Sequence, residues 1–186
     1  MIYQTIIILL WVLVAIYWAL LSFQNKESTK SESSFSRILY LTLMVMSFYF
    51  LFPKSRPIVG LNSSFYSNLL FYYLGFVVAV AGLVFAVYSR YGLGKNWSGR
   101  IEIKENHKLI TNGAYSLTRN PIYTGLLFGV IGTALMYNQL KGILTSVLIF
   151  CAFSIKIKKE EKFLLKRFPE YKSYMKKVKK LIPYVY

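Results

Sequence analysis

Residues 2–23 read IYQTIIILLWVLVAIYWALLSF, 22 residues without one charged side chain. Coiled as a helix, such a run is about 33 Å long, enough to cross a hydrocarbon core of about 30 Å. A spanning helix also satisfies its own backbone hydrogen bonds, which lipid cannot do for it. No basic segment precedes the run and no small-x-small cleavage signal follows Phe23. It is therefore expected to stay as a membrane span and not to be removed as a signal peptide.

The rest of the chain is consistent with that start. Of its 186 residues 55% are hydrophobic and 18% aromatic, above the usual share of a soluble globular domain. It also carries 23 Lys and Arg against 7 Asp and Glu, a net charge of +16. A soluble nucleic-acid binder could be as basic, but it would not contain the opening run, so the expected partner is the bilayer and not nucleic acid. Further apolar runs occupy Ile38–Phe52, Leu69–Tyr88, Ile122–Tyr137 and Ile143–Ile155. Leu69–Tyr88 is long enough to span, whereas the shorter three are also compatible with buried or re-entrant helices.

Charge placement favours spans. With five crossings and the N-terminus outside, the segments 24–37, 89–121 and 156–186 lie inside and hold 20 of the 23 basic residues. The expected fold is an all-α integral membrane protein of about five transmembrane helices, the last two a short hairpin, with a cytosolic C-terminus. The Ser-rich stretch 24–37 reads as a flexible connection. Pro53 and Pro57 should end the second helix, since proline cannot continue the hydrogen-bond ladder. Residues 156–180 read as one basic amphipathic helix, with Phe163, Leu164, Phe168, Tyr171 and Met175 recurring among lysines. Such a helix would also suit an anionic lipid surface. Residues 1–88 are thus expected to form N-terminal transmembrane helices, and 89–186 to carry any chemistry.

The longest polar stretch, SRYGLGKNWSGRIEIKENHKLITNGAYSLTRNPIYTG at 89–125, holds the single histidine, His107. Asn112-Gly113 is a turn signal. Pro121 stands where the fourth apolar run begins, a first helical position that tolerates proline. Arg119 therefore lies near a helix N-terminus, whose dipole and free N–H groups attract anions. A topology anchor is an equal reading of that arginine. One histidine and one remote cysteine, Cys151, make no metal-ligand cluster. Gly92-Leu93-Gly94 lacks the third glycine of a dinucleotide loop, and a chain without aspartate offers no Ser-His-Asp triad. Lys156 and Glu160 stand four apart on one helix face, and Glu160 and Glu161 are consecutive carboxylates where the last apolar run ends.

Five motifs in order, LGKNWS at 93–98, HKLITNGAY at 107–115, RNPIY at 119–123, EEKFLLKRFPEYKSY at 160–174 and LIP at 181–183, resemble the isoprenylcysteine carboxyl methyltransferase family. That family is part of a wider group with membrane phospholipid methyltransferases. The resemblance implies S-adenosylmethionine as cofactor, held by His107, Lys108, Leu109, Ile110, Tyr115, Asn120, Pro121, Ile122 and Tyr123, with Arg100 bordering it. It implies that Arg119 orients an acceptor carboxylate and that Glu160, with Lys156, lies on the substrate side; Glu161 fits the group's acidic pair. Asn120 replaces the family's histidine and cannot titrate near neutral pH. Lys156 stands where the family can carry arginine, and lacks its bidentate fork. The expected reaction is methylation of a prenylated cysteine or similar lipidic carboxylate. Methylation of a phospholipid amine and a non-catalytic lipid-binding scaffold are the alternatives.

Overall fold

A computed structural model describes residues 2–22, 34–52, 61, 64, 68–94 and 109–186. Helices account for all the regular structure among them: α1 (Ile2–Ser22), α2 (Ser34–Leu51), α3 (Leu69–Leu93), α4 (Ala114–Leu117), α5 (Pro121–Tyr137), α6 (Lys141–Arg167) and α7 (Tyr171–Lys177). One isolated bridge, Thr118 to Lys179, is the only extended pairing among the described residues.

Local chemistry sets the ends of these helices. The side chain of Asn68 accepts a hydrogen bond from the Leu70 N–H at 2.8 Å, capping α3. Pro121 takes the first position of α5, as its sequence context predicts. That helix closes on Asn138 in the left-handed conformation (φ 52°, ψ 46°), and a short turn leads directly into α6. The α5–α6 hairpin is thus present. The expected continuous helix over 156–180 is not. Instead α6 runs unbroken from Lys141 to Arg167 and stops at Phe168, whose extended backbone (φ −124°, ψ 103°) is what a following proline demands. The chain restarts as the short α7 beyond Pro169.

Contacts give the helix directions. Tyr40, in the first half of α2, lies near Lys156 in the second half of α6, while the Lys141 ammonium at the start of α6 donates to the Phe52 carbonyl just past the end of α2. These two helices are therefore antiparallel. The α3 and α5 backbones meet along Gly75, Gly82, Gly125, Gly129 and Gly132 in opposite directions. A Cβ on Gly82 would lie 2.5 Å from the Gly129 nitrogen, so only glycine permits this approach. Close backbone contact at small residues is how apolar helices associate where burial from water offers little. Tyr3 packs edge-on against Phe76, setting α1 beside α3, and the Trp11 indole donates to the Thr133 hydroxyl on α5 at 3.1 Å.

The outer surface is apolar. Leu13, Leu20, Val45, Val77 and Val84 are each at least 60% exposed, a pattern that suits lipid and not water. Among the described residues α1 and α3 are long and apolar enough to cross a membrane unaided; the apolar stretches of α2 and α5 are shorter.

Candidate active site

At the end of the bundle where α3 and α6 leave their apolar stretches, three pieces of chain converge. They are the α4 turn with the start of α5, the second half of α6, and the segment from α7 to the C-terminus. Gly113 turns into α4 with φ +59°, a backbone that side chains rarely adopt. Tyr115 is then buried, and the Tyr174 hydroxyl donates to its carbonyl, tying α7 to α4. Burial pushes the Tyr115 phenol well above its ordinary range, and the nearby Glu160 charge adds to the shift. It is thus neutral at any physiological pH.

Arg119 and Asn120 follow. The Arg119 Nε–H donates to Glu161 Oε1 at 2.8 Å, and its Nη1 donates to the Met175 and Val178 carbonyls at 3.1 and 2.6 Å. The Asn120 amide donates to the same Glu161 oxygen at 3.2 Å and to the Lys180 carbonyl at 3.1 Å. Tyr171 adds a long contact to that oxygen at 3.4 Å. Thr124 donates to the Leu181 carbonyl at 2.6 Å, and Leu181 is fully buried. A network around one buried carboxylate thereby fastens residues 175–181 onto the N-terminus of α5. The Arg119 side chain, read from sequence as a holder of an acceptor carboxylate, makes these hydrogen bonds within the protein.

Glu160 has different company. Tyr123, one turn into α5, donates its hydroxyl to Glu160 Oε1 at 2.8 Å. The Lys156 ammonium is 3.8 Å from that same oxygen. Pro121 and Ile122 are buried beneath, in the first turn of α5. Leu109 and Ile110 are half-buried on the approach to α4. His107, Lys108 and Arg100 lie outside the described residues. The structure therefore gathers Tyr115, Arg119, Asn120, Pro121, Ile122, Tyr123, Lys156 and Glu160 at one end of the bundle. Tyr40, Thr124, Tyr171 and Tyr174 join them unannounced. Only Tyr171 and Tyr174 lay within a quoted motif, and Tyr40 sits in an apolar run that offers no signal at all.

Fold and site together define a helical membrane protein with a cluster of charged and aromatic groups at one end of its bundle. The chain belongs to the phospholipid methyltransferase family, whose profile matches residues 70–171. Over 117 residues it is 34% identical to a probable protein-S-isoprenylcysteine O-methyltransferase of Oryza sativa subsp. indica, covering 61% of each chain. The chain thus spans about three-fifths of that relative's length. Over 93 residues it is 31% identical to the cobalt-zinc-cadmium resistance protein CzcN of Cupriavidus metallidurans, covering 49% of this chain and 43% of that one. Among solved structures, its fold is similar to that of the eukaryotic intramembrane Ras methyltransferase, isoprenylcysteine carboxyl methyltransferase. The TM-score is 0.58 at 23% identity, covering 82% of this chain and 52% of that one. The resemblance read from the five motifs holds, and so does an all-helical fold of the intramembrane type.

Proposed function

We propose that this chain is an S-adenosylmethionine-dependent methyltransferase whose acceptor is held in the membrane, with the carboxylate of a prenylated cysteine as the first candidate. The observation that carries this reading is the Tyr123–Glu160–Lys156 cluster where α6 leaves its apolar stretch. The donor set fits the cofactor: a carboxylate and aromatic rings complement a cationic sulfonium, and family membership supports a methyl donor. Tyr115, Asn120, Pro121, Ile122 and Tyr123 would line it, with Leu109 and Ile110 beside them; the resemblance adds Arg100, His107 and Lys108, which lie outside the described residues. When bound, it supplies a methyl group activated by positive sulfur.

The protein's own work is then alignment. A carboxylate acceptor is ionised at neutral pH, so no general base is required. Lys156 draws the acceptor's negative charge to one place, and the Tyr123 hydroxyl holds Glu160 in one orientation. In this reading Lys156 takes the orienting role that the resemblance implied for Arg119, because the Arg119 Nε and Nη1 donors are turned toward Glu161 and the C-terminal segment. Orientation combined with exclusion of water can contribute several kcal/mol to such a displacement. Residues 89–186 carry the chemistry. We read the N-terminus as outside and the C-terminus as inside, with five crossings, because the segments this places inside hold 20 of the 23 basic residues.

A second reading, N-methylation of a phospholipid amine, is favoured by the family's description. An amine must lose a proton, and Glu160 would be the candidate to take it. The test is transfer of labelled methyl from S-adenosylmethionine by the detergent-purified protein to a farnesylated cysteine or to aminophospholipid vesicles, side by side. Base-labile label on the prenylated cysteine supports the first reading, and acid- and base-stable label on lipid supports the second. Transfer to neither, together with no saturable S-adenosylmethionine binding, would overturn both and leave a lipid-binding scaffold.

A further inference from the structure

Helix α2 ends well before residue 70, where the family match begins, yet it reaches the site. The Tyr40 ring on α2 is 1% exposed, and the Lys156 ammonium lies 5.3 Å from its centroid. On the other side the Tyr123 ring is 5.9 Å away, and Glu160 Oε1 is 3.8 Å away. One ammonium is therefore bounded by two aromatic rings and a carboxylate, each from a different helix or turn.

A lysine side chain is a flexible four-carbon stem that loses much rotamer freedom when fixed, and it normally extends toward water. The ion pair to Glu160, at 3.8 Å, is longer than a hydrogen bond. A ring face within about 6 Å attracts an ammonium through its quadrupole, most strongly where water is excluded, as it is around Tyr40. Tyr40 can hold that position because α2 and α6 are packed antiparallel over their whole shared length. The Lys141 contact to Phe52 pins the opposite end.

We propose that Tyr40 is a positioning residue. With Tyr123 it fixes the Lys156 ammonium beside Glu160, so that α2 builds the acceptor side of the site jointly with α5 and α6. Its kinetic consequence rests on the methyl-transfer reading above; its structural consequence does not. In an enzyme that works by alignment, the place of this cation sets where an acceptor's anionic group lies. Tyr40 thereby governs which acceptors are used without touching them.

Two measurements separate the clamp from the activity. The first is the labelling rate of Lys156 by an amine-reactive reagent, read by mass spectrometry in detergent. Tyr40→Leu should raise it about threefold or more, whereas Tyr40→Phe, which keeps the ring, should stay within about twofold of wild type. The second is kinetics on the acceptor that wild type methylates. Tyr40→Leu should raise the acceptor KM by roughly five- to thirtyfold while leaving the KM for S-adenosylmethionine within about twofold, and Tyr40→Phe should restore it. In a Lys156→Met background, Tyr40→Leu should add no further rise in acceptor KM. Unchanged labelling in Tyr40→Leu overturns the clamp whatever the activity. Raised labelling with an unmoved acceptor KM, or additive effects in the double variant, overturns the positioning role. Raised labelling in a protein whose wild type transfers no methyl refutes the functional reading and upholds the clamp.

Discussion

Glu160 and Glu161 are neighbours in sequence, but a helix turns about 100° between them, and they have different surroundings. Glu161 points into the protein. Its side chain is 7% exposed, and Arg119, Asn120 and Tyr171 all donate to one of its oxygens. Glu160 is 23% exposed, takes the Tyr123 hydroxyl and lies beside Lys156. An acidic pair at a membrane boundary therefore need not be a dyad sharing one chemistry. Here one carboxylate fastens the C-terminal segment and the other faces the candidate site, and the same turn of α6 positions both.

The largest effect should come from the buried side of that pair. Glu161→Ala leaves the Arg119 guanidinium without its counter-ion in a poorly hydrated place, a change that costs about 3–5 kcal/mol in such pairs. Thermal unfolding in detergent should show a marked drop in midpoint, and limited proteolysis should release the chain beyond Arg167 first. An unaltered midpoint would show that the network around Glu161 is not what holds residues 175–181. Next in size is Glu160→Gln. Loss of a charge-assisted hydrogen bond should lower kcat/KM for methyl transfer roughly ten- to hundredfold. Because this carboxylate is partly solvated, its unfolding free energy should move by less than about 1 kcal/mol. A Glu160→Gln protein as unstable as Glu161→Ala would erase the distinction between the two residues.

Asn120 sharpens the comparison at a smaller scale. Its amide group carries two N–H donors and uses them on the Glu161 carboxylate and the Lys180 carbonyl. A neutral histidine has one donor, so Asn120→His can keep one of these bonds and should cost about 1 kcal/mol. Unfolding measurements on the single variant and on Asn120→His in the Glu161→Ala background check this, since the cost should shrink once the carboxylate is gone.

Much of the fold was legible in the sequence, the division within the acidic pair was not, and the reasons are physical. The apolar run 2–23, the Pro121 start of α5 and the α5–α6 hairpin follow from hydropathy and proline chemistry, which act locally. The resemblance implied that Tyr115, Asn120 and Tyr123 contact a cofactor and that Lys156 and Glu160 lie on the substrate side, and all five come to one end of the bundle. The orientation of Arg119 was not readable, because it depends on where α7 and the C-terminal segment fold back. That return begins at Phe168, where Pro169 interrupts a helical pattern whose apolar spacing alone continues to Met175. Tyr40 was invisible for another reason. An aromatic residue inside an apolar run looks like any other core or lipid-facing position until the packing of α2 on α6 sets its ring beside an ammonium.

The last effect is one of pH, and it too should divide along the pair. Burial raises the phenols of Tyr171 and Tyr174 above their ordinary value of 10.0; the Glu161 charge raises them further, and Arg119 partly opposes the shift. A phenol whose folded-state pKa is raised stabilises the fold fully below the unfolded pKa, and that contribution is lost as pH rises through the range above it. Stability should therefore be insensitive to these two groups up to about pH 10 and decline beyond it. Lysines also titrate in that window, so the informative quantity is the difference between wild type and a Tyr171→Phe/Tyr174→Phe protein. The variant should be less stable at pH 8, where it lacks the contacts to Glu161 and to the Tyr115 carbonyl, and should lose less of its remaining stability between pH 9.5 and 11. Parallel stability curves for the two proteins would mean that the phenols around Glu161 are not linked to folding. The buried half of the pair would then be held by Arg119 and Asn120 alone.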